Sequence, residues 1–172
     1  MPVDDNKYLP RSFTAMFQVP DDARVSDVPF TPLKTPIREA RVALLTTAGI
    51  WNKDTDQSFD YEREKREPLW GDPSFRVLDN DLAQKQVGAG HLHLNNDDVL
   101  TDFNIALPIA RLNEVVAAGE AGSAADHHYS FMGYQGGGPG GPDTTEWESR
   151  YLPDAARRML DEGVHAVVIT PT

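Results

Sequence analysis

Residues 41–47 (RVALLTT), followed by Ala48 and Gly49, decide the fold class of this protein. They form a short run that is apolar on both faces of a strand and ends in two threonines and a turn signal. Such a run is typical of a buried strand in a parallel sheet, because helices cover both faces of that kind of sheet. We predict that Thr46 and Thr47 lie at the carboxyl edge of the sheet, where open α/β folds bind ligands; the alternative is that they only cap a loop.

A second run of the same kind, residues 165–170 (HAVVIT), lies near the other end of the sequence. Apolar residues between 105 and 118 recur at helical spacing, and another helical pattern occupies residues 145–163. Strands that alternate with helices in this way favour an α/β fold. We predict a parallel sheet with flanking helices, of the open doubly wound type, in which residues 165–170 form a buried strand like the first.

Prolines recur throughout residues 1–38, which also carry many aromatic and aliphatic side chains. Proline removes amide donors and disfavours long helices and central strands, yet the segment is too apolar for a solvated tail. We therefore predict an extended, Pro-rich N-terminal arm over residues 1–38, laid across its own domain or across a second subunit. Residues 39–172 are long enough for a single α/β domain.

The composition argues against several classes of protein. The chain has 172 residues, a formal net charge of −11 and a pI near 4.7, so nucleic acids and anionic membrane surfaces would repel it. No apolar run approaches the roughly 20 residues that span a bilayer, and the first residues lack the pattern of a signal peptide. We expect a cytoplasmic protein. With no cysteine, neither a disulfide nor a cysteine nucleophile can arise within these 172 residues.

Histidines mark the candidate site. Residues 90–94 (GHLHL) place His91 and His93 on one face of an extended strand and two leucines on the other. We predict that this strand runs from residue 86 to residue 94. The whole chain contains only five histidines, and His128 belongs to a second pair, so the clustering suggests a functional site.

Three interpretations of these histidines stay open. His91, His93 and His128 are candidate ligands of a divalent zinc, iron or copper ion, which one of three nearby carboxylates would complete: Asp97, Asp98 or Asp102. Alternatively, the same histidines bind a substrate carboxylate or act as general acid and base, as an ordinary imidazole pKa near 6.5 allows. In the third interpretation they only form hydrogen bonds at strand ends.

Several short motifs share their order and spacing with one enzyme family. They are RVALLTTAG at 41–49, GDPSFR at 71–76, HLH at 91–93, LP at 107–108 with RL at 111–112, HYSFMG at 128–133 and DEGVHAVVITP at 161–171. In these motifs the chain resembles the glycine/sarcosine/betaine/D-proline reductase selenoprotein B family.

The resemblance implies an α/β fold and reductive attack by a selenol or thiol on a carbon–heteroatom bond of a small amine or amino acid. In that family the selenocysteine or cysteine directly follows the strand that matches residues 165–170. No cysteine is present here, so the family's nucleophile has no counterpart among these residues. The sequence is a truncation, one half of a split enzyme, or a natural short form; we favour completion by another chain.

We therefore expect an oxidoreductase-like enzyme subunit whose small-molecule substrate binds in a crevice. The companion subunit would carry the missing carboxyl-terminal half, or a second protomer would complete a homo-oligomer. The alternatives are a metal-dependent enzyme that uses the histidines in place of the selenol or thiol, and a non-catalytic structural subunit of a complex. The candidate catalytic residues are Thr47, His91, His93, His128 and Tyr129, and Thr46 also lines the crevice.

Overall fold

The structure is a computed structural model that describes residues 30–67, 70–92, 94–135, 137–138 and 141–171. The predicted arm lies outside the described residues as far as residue 29, and so does His93. In chain order the strands are β1 (Arg41–Thr46), β2 (Ile50–Asn52), β3 (Phe75–Asp79), β4 (Val87–Ala89), β5 (Ser123–Ala124), β6 (His127–Phe131), β7 (Gly137–Gly138), β8 (Gly141–Pro142) and β9 (Ala166–Thr170). The helices are α1 (Tyr61–Arg66), α2 (Asn96–Thr101), α3 (Ile109–Ala117) and α4 (Leu152–Asp161).

Strand β1 is the centre of the main sheet. It pairs in parallel with β9 along one side, and on its other side it pairs in parallel with β5 at its start and with β6 at its end. Strand β3 extends the sheet by pairing antiparallel with β6. The predicted α/β class and a mostly parallel sheet are therefore confirmed, whereas the doubly wound type stays a prediction.

Helices cover both faces of β1, as its sequence predicts. Val42 and Leu44 belong to an apolar cluster that includes residues of α3. Leu45 packs against a second cluster that includes Ala155 and Met159 of α4. Because burying one leucine or valine side chain stabilises a fold by about 1.5–3 kcal/mol, this strand contributes strongly to stability.

The prediction of a second buried strand at residues 165–170 is wrong. Among the described residues strand β9 pairs with β1 alone, and the side chains of Val167, Val168 and Ile169 are 38%, 47% and 61% exposed. Its apolar sequence resembles that of β1 because both strands are rich in branched residues. Hydrophobic pattern alone does not distinguish a central strand from an edge strand.

The strand predicted over residues 86–94 is shorter than expected. Strand β4 ends at Ala89 and pairs antiparallel with β2. The side chain of Asn96 accepts a hydrogen bond from the His91 N–H at 2.9 Å and donates one to the His91 carbonyl at 3.1 Å. These two bonds turn the chain into α2, so His91 lies in a turn and not in a strand.

The apolar pattern at residues 105–118 is confirmed as helical over α3, which is preceded by a 3-10 turn at Phe103–Ile105. Gly119 ends the helix with a φ of 71°, a conformation that suits glycine. Among the described residues, no helix is long and apolar enough to cross a membrane.

Candidate functional site

The carboxyl ends of β1, β6 and β9 meet at one edge of the parallel sheet. The segment that follows β1 is hydrogen-bonded to the last residues of the other two strands. The Gly49 N–H donates to the Phe131 carbonyl at 2.9 Å, and the Thr47 N–H donates to the Thr170 carbonyl at 3.4 Å. The edge is the place where open α/β sheets bind ligands.

Both predicted threonines lie at this edge, in different surroundings. Thr46 is fully buried; its hydroxyl donates to the Thr170 carbonyl at 3.3 Å and accepts from the Ala48 N–H at 3.2 Å. Thr47 is half-buried, and Gly133 packs so closely on it that a Cβ atom at position 133 would lie 3.0 Å from its hydroxyl oxygen. Thr46 therefore ties two strand ends together, whereas Thr47 lines the edge.

His91 reaches the same edge. The Gly90 N–H donates to the Gly49 carbonyl at 3.2 Å, which places His91 beside the loop that follows β1. The His91 residue is only 4% exposed. The structure thus brings His91 and Thr47 to neighbouring loops, while His93 lies outside the described residues.

His128 occupies the interior of the sheet. Its Nδ1 accepts a hydrogen bond from the Leu44 N–H at 3.1 Å, and its Nε2 lies 3.0 Å from the Asn80 Oδ1, so Nε2 carries the proton. Burial lowers the pKa of His128 to about 4, and the imidazole is neutral at physiological pH. Both ring nitrogens already serve the fold, so metal binding would require the loss of one of these bonds.

Tyr129 points to the opposite face of the sheet from His128, because neighbouring strand residues alternate. It is 1% exposed and packs with Phe131 and with Ala155 and Met159 of α4. Burial raises the pKa of its hydroxyl. The structure therefore separates Tyr129 from the imidazole that it adjoins in sequence.

The described part of the chain contains no group of three or more histidine or acidic residues arranged to hold a metal ion. Asp102, one of the predicted additional ligands, instead accepts hydrogen bonds from the backbone and side-chain amides of Asn104, both at 3.0 Å. His93 lies outside the described residues, and binding of zinc, iron or copper stays a prediction.

A pocket of about 550 Å³ lies next to this edge, and sequence reasoning missed it. The ring of Trp51 lines the pocket and also packs on Gly90. The contact is close: a Cβ atom at position 90 would lie 3.2 Å from the indole. The pocket therefore adjoins the turn that carries His91. Its lining includes three aromatic rings and three acidic side chains: Trp51, Phe59, Tyr61, Asp60, Glu62 and Asp72.

The GDPSFR motif forms part of the pocket wall. The Asp72 Oδ1 accepts from the Ser74 N–H at 2.9 Å and from the Ser74 hydroxyl at 2.5 Å, and its Oδ2 accepts from the Asp60 N–H at 2.9 Å. The Asp60 Oδ1 in turn caps α1 by accepting from the Arg63 N–H at 3.0 Å. The motif and the start of α1 are thus held together at the pocket.

Arg76 connects β3 to residues 57–59 of the pocket wall. Its guanidinium donates to the carbonyls of Gln57 at 2.7 Å and Ser58 at 3.0 Å, and it lies 4.2 Å from the centre of the Phe59 ring. Its guanidinium also lies 3.9 Å from Asp72, and its single positive charge neutralises only part of a lining with three acidic side chains. The pocket is suited to a small cation with apolar substituents. The sequence signal was the acidic segment 51–69, which composition alone suggests to be a solvated surface.

Glu64 is a buried carboxyl group behind the pocket wall. It is 2% exposed, and its Oε1 accepts from the Asp72 N–H at 3.3 Å. Burial, with a smaller effect of the nearby Asp72 and Asp60 carboxylates, outweighs the hydrogen bond from the Asp72 N–H and raises the pKa of Glu64 to about 7. Glu64 therefore exchanges its proton near neutral pH.

One curated relative matches most of the chain. The chain is 31% identical over 141 residues to D-proline reductase subunit gamma of Acetoanaerobium sticklandii, and the match covers 82% of the chain. It covers 52% of the relative, so the chain spans about half the relative's length. No family model and no solved structure matches the chain. The match confirms the relationship to the proline/glycine reductase family that the motifs predict.

The substitution Glu64→Gln removes a buried proton-exchanging group while keeping an oxygen that can accept from Asp72. A folded-state pKa near 7, raised from 4.5, means that Glu64 favours folding below pH 4.5 and that this contribution is lost as the pH rises through 7. The parent loses this contribution between pH 5 and pH 8, whereas the Glu64→Gln variant does not. The unfolding free energy of the variant minus that of the parent should therefore rise by up to about 3 kcal/mol from pH 5 to pH 8. Urea denaturation at both pH values measures the change, and an equal effect at both would contradict it.

His128 should impose the opposite pH dependence. Its pKa is lowered from 6.5 to about 4 in the folded state, so its contribution is fully present above pH 6.5 and is lost as the pH falls toward 4. In the Glu64→Gln background, unfolding free energy should fall by up to about 3 kcal/mol over this range because of His128. Adding His128→Asn should remove that part of the pH dependence. Urea denaturation at pH 4 and pH 6.5 measures the unfolding free energy, and an unchanged difference between the two pH values would show that His128 is not its source.

Proposed function

Since this chain is related to the proline/glycine reductase family, we propose that it is part of a reductase that acts on a carbon–heteroatom bond of a small amine or amino-acid-type substrate. One observation carries the proposal. The motif at residues 71–76, through which the chain resembles that family, supplies Asp72, Ser74 and Arg76 to the pocket at the carboxyl edge of the sheet.

The chemistry of the pocket supports an ammonium-bearing substrate. Asp60 provides negative charge, and the ring of Trp51 offers a face on which a substituted ammonium group can pack. The Lys65 ammonium already pairs with Glu62 at 2.8 Å and lies 4.4 Å from the centre of the Tyr61 ring, so a cation is accommodated at this wall within the chain itself. An ammonium group over an aromatic face contributes about 0.5–2 kcal/mol to binding, and more where water is excluded. In this proposal Thr47 and His91 contact the substrate from the adjoining loops, and roles for His93, His128 and Tyr129 remain predictions.

The reducing group has to come from outside these 172 residues, because they contain no cysteine. We propose that a companion chain supplies it and docks on β9. Two observations support this: in the part of the chain that the structure describes, β9 exposes three branched apolar side chains and has one unpaired edge, and the matched relative is named a subunit and is about twice as long as the matched region. Edge strands of this kind readily pair with another strand.

The pocket should bind small ammonium compounds. Glycine betaine and D-proline should bind saturably to the purified chain, and Asp60→Asn should weaken binding about fivefold, because asparagine still caps α1 but carries no charge. Tryptophan fluorescence titration measures the affinity. Asp97→Asn, an exposed change on α2, serves as the control and should leave affinity unchanged. Equal affinity in the Asp60 variant would count against the pocket.

Docking on β9 should be sensitive to charge. Tagged chain purified from its own cells should bring down, in stoichiometric amount, a cysteine- or selenocysteine-bearing chain related to the unmatched half of the relative. Val168→Lys should abolish this association, because it places an ammonium group on the apolar strand. Leu100→Lys is a matched control, since Leu100 is 43% exposed and Val168 is 47% exposed. Mass spectrometry identifies the partner. If the chain purified from its own cells is a monomer, the proposal of a companion chain is wrong.

A further inference from the structure

A second cavity lies on the other side of the GDPSFR motif and has the opposite charge. It has a volume of about 430 Å³ and lies between residues 74–75 on one side and, on the other, the end of the segment that leads into α4 and the first part of α4. Ser74 lines both this cavity and the acidic pocket. The charged side chains of its lining are Arg150, Arg157 and Asp154, which leaves a net positive charge in a chain whose net charge is −11.

The single carboxylate of the cavity is already paired. The Asp154 Oδ2 lies 3.3 Å from the Arg158 Nε, and its Oδ1 lies 3.7 Å from an Arg157 nitrogen. Arg158 is not part of the lining. Because Asp154 interacts with Arg158 as well as with Arg157, it neutralises the two lining arginines only in part.

The Arg150 guanidinium keeps its donors available. Among the described residues, none accepts a hydrogen bond from it, and its contact is with the face of the Tyr151 ring, 4.8 Å away. Arg76 differs, because its donors are used by backbone carbonyls and by the Ser74 hydroxyl. A ligand in the second cavity would therefore meet a guanidinium that needs no rearrangement of the fold.

The backbone at this cavity is unusual. Trp147–Tyr151 is a π-helical segment, directly followed by α4, and it carries Arg150 and Tyr151 into the lining. A π-helical turn is rare within α-helical structure and occurs frequently at functional sites. This observation is independent of the charge of the cavity.

We propose that this cavity binds a small organic carboxylate, whose oxygens contact Arg150 and Arg157 and whose apolar part packs on Phe75 and Tyr151. Guanidinium groups bind carboxylates through paired, charge-assisted hydrogen bonds. The two rings, 6.4 Å apart and edge to face, supply an apolar wall. The volume is within the range of small-ligand sites. The proposal does not depend on the reductase function.

Benzoate is a suitable probe, because it combines a carboxylate with a planar apolar body, and benzamide has the same shape without the charge. Isothermal titration calorimetry at millimolar ligand should show saturable binding of benzoate and at least tenfold weaker binding of benzamide and of inorganic phosphate. Arg150→Gln and Arg157→Gln should each weaken benzoate binding roughly tenfold, the loss of about one charged hydrogen bond.

Arg111→Gln is a matched control, because Arg111 and Arg157 are 65% and 69% exposed and both pair with an acidic residue on their own helix. It should leave benzoate affinity unchanged. Benzamide binding as tight as benzoate would overturn the proposal without any variant. So would phosphate binding as tight as benzoate, or an equal effect of Arg111→Gln and Arg157→Gln.

Discussion

The parallel pairing of β1 with strands on both of its sides is the constraint on which the rest of the structure depends. A strand in that position has no exposed edge and must be apolar on both faces, which residues 41–46 satisfy. Where β1 runs beside β6, one backbone donor of β1 is satisfied by a side chain and not by a backbone carbonyl: the Leu44 N–H donates to the imidazole of His128. A residue that resembles a catalytic histidine in sequence thus completes the hydrogen bonding of the central strand.

The same constraint determines where chemistry can occur. Because β1, β6 and β9 run in one direction, their carboxyl ends present Thr47, Gly133 and Thr170 at a single edge, and the turn that carries His91 joins them through Gly49 and Gly90. Two further buried groups, Glu64 and His128, hold neighbouring segments through hydrogen bonds and have pKa values shifted in opposite directions by burial.

Two cavities of opposite charge flank the GDPSFR motif. The acidic, aromatic pocket suits an ammonium group, and the cavity beside the π-helical segment suits a carboxylate. Alternation along the motif accounts for part of this arrangement, since Arg76 faces one cavity while Phe75 faces the other. One short motif therefore contributes to both surfaces as well as to the start of β3.

The sequence by itself determined the elements whose local pattern matches their final environment: β1, the apolar face of α3, the α/β class and the relationship to the reductase family. Only the tertiary structure decided that β9 is an edge strand, because β1 and β9 have similar apolar patterns and only pairing distinguishes them. It also decided that Asn96 turns the chain at His91 and that an acidic surface segment encloses a pocket. The edge position of β9 and the enclosure of the pocket depend on contacts between residues distant in sequence, which local pattern does not contain.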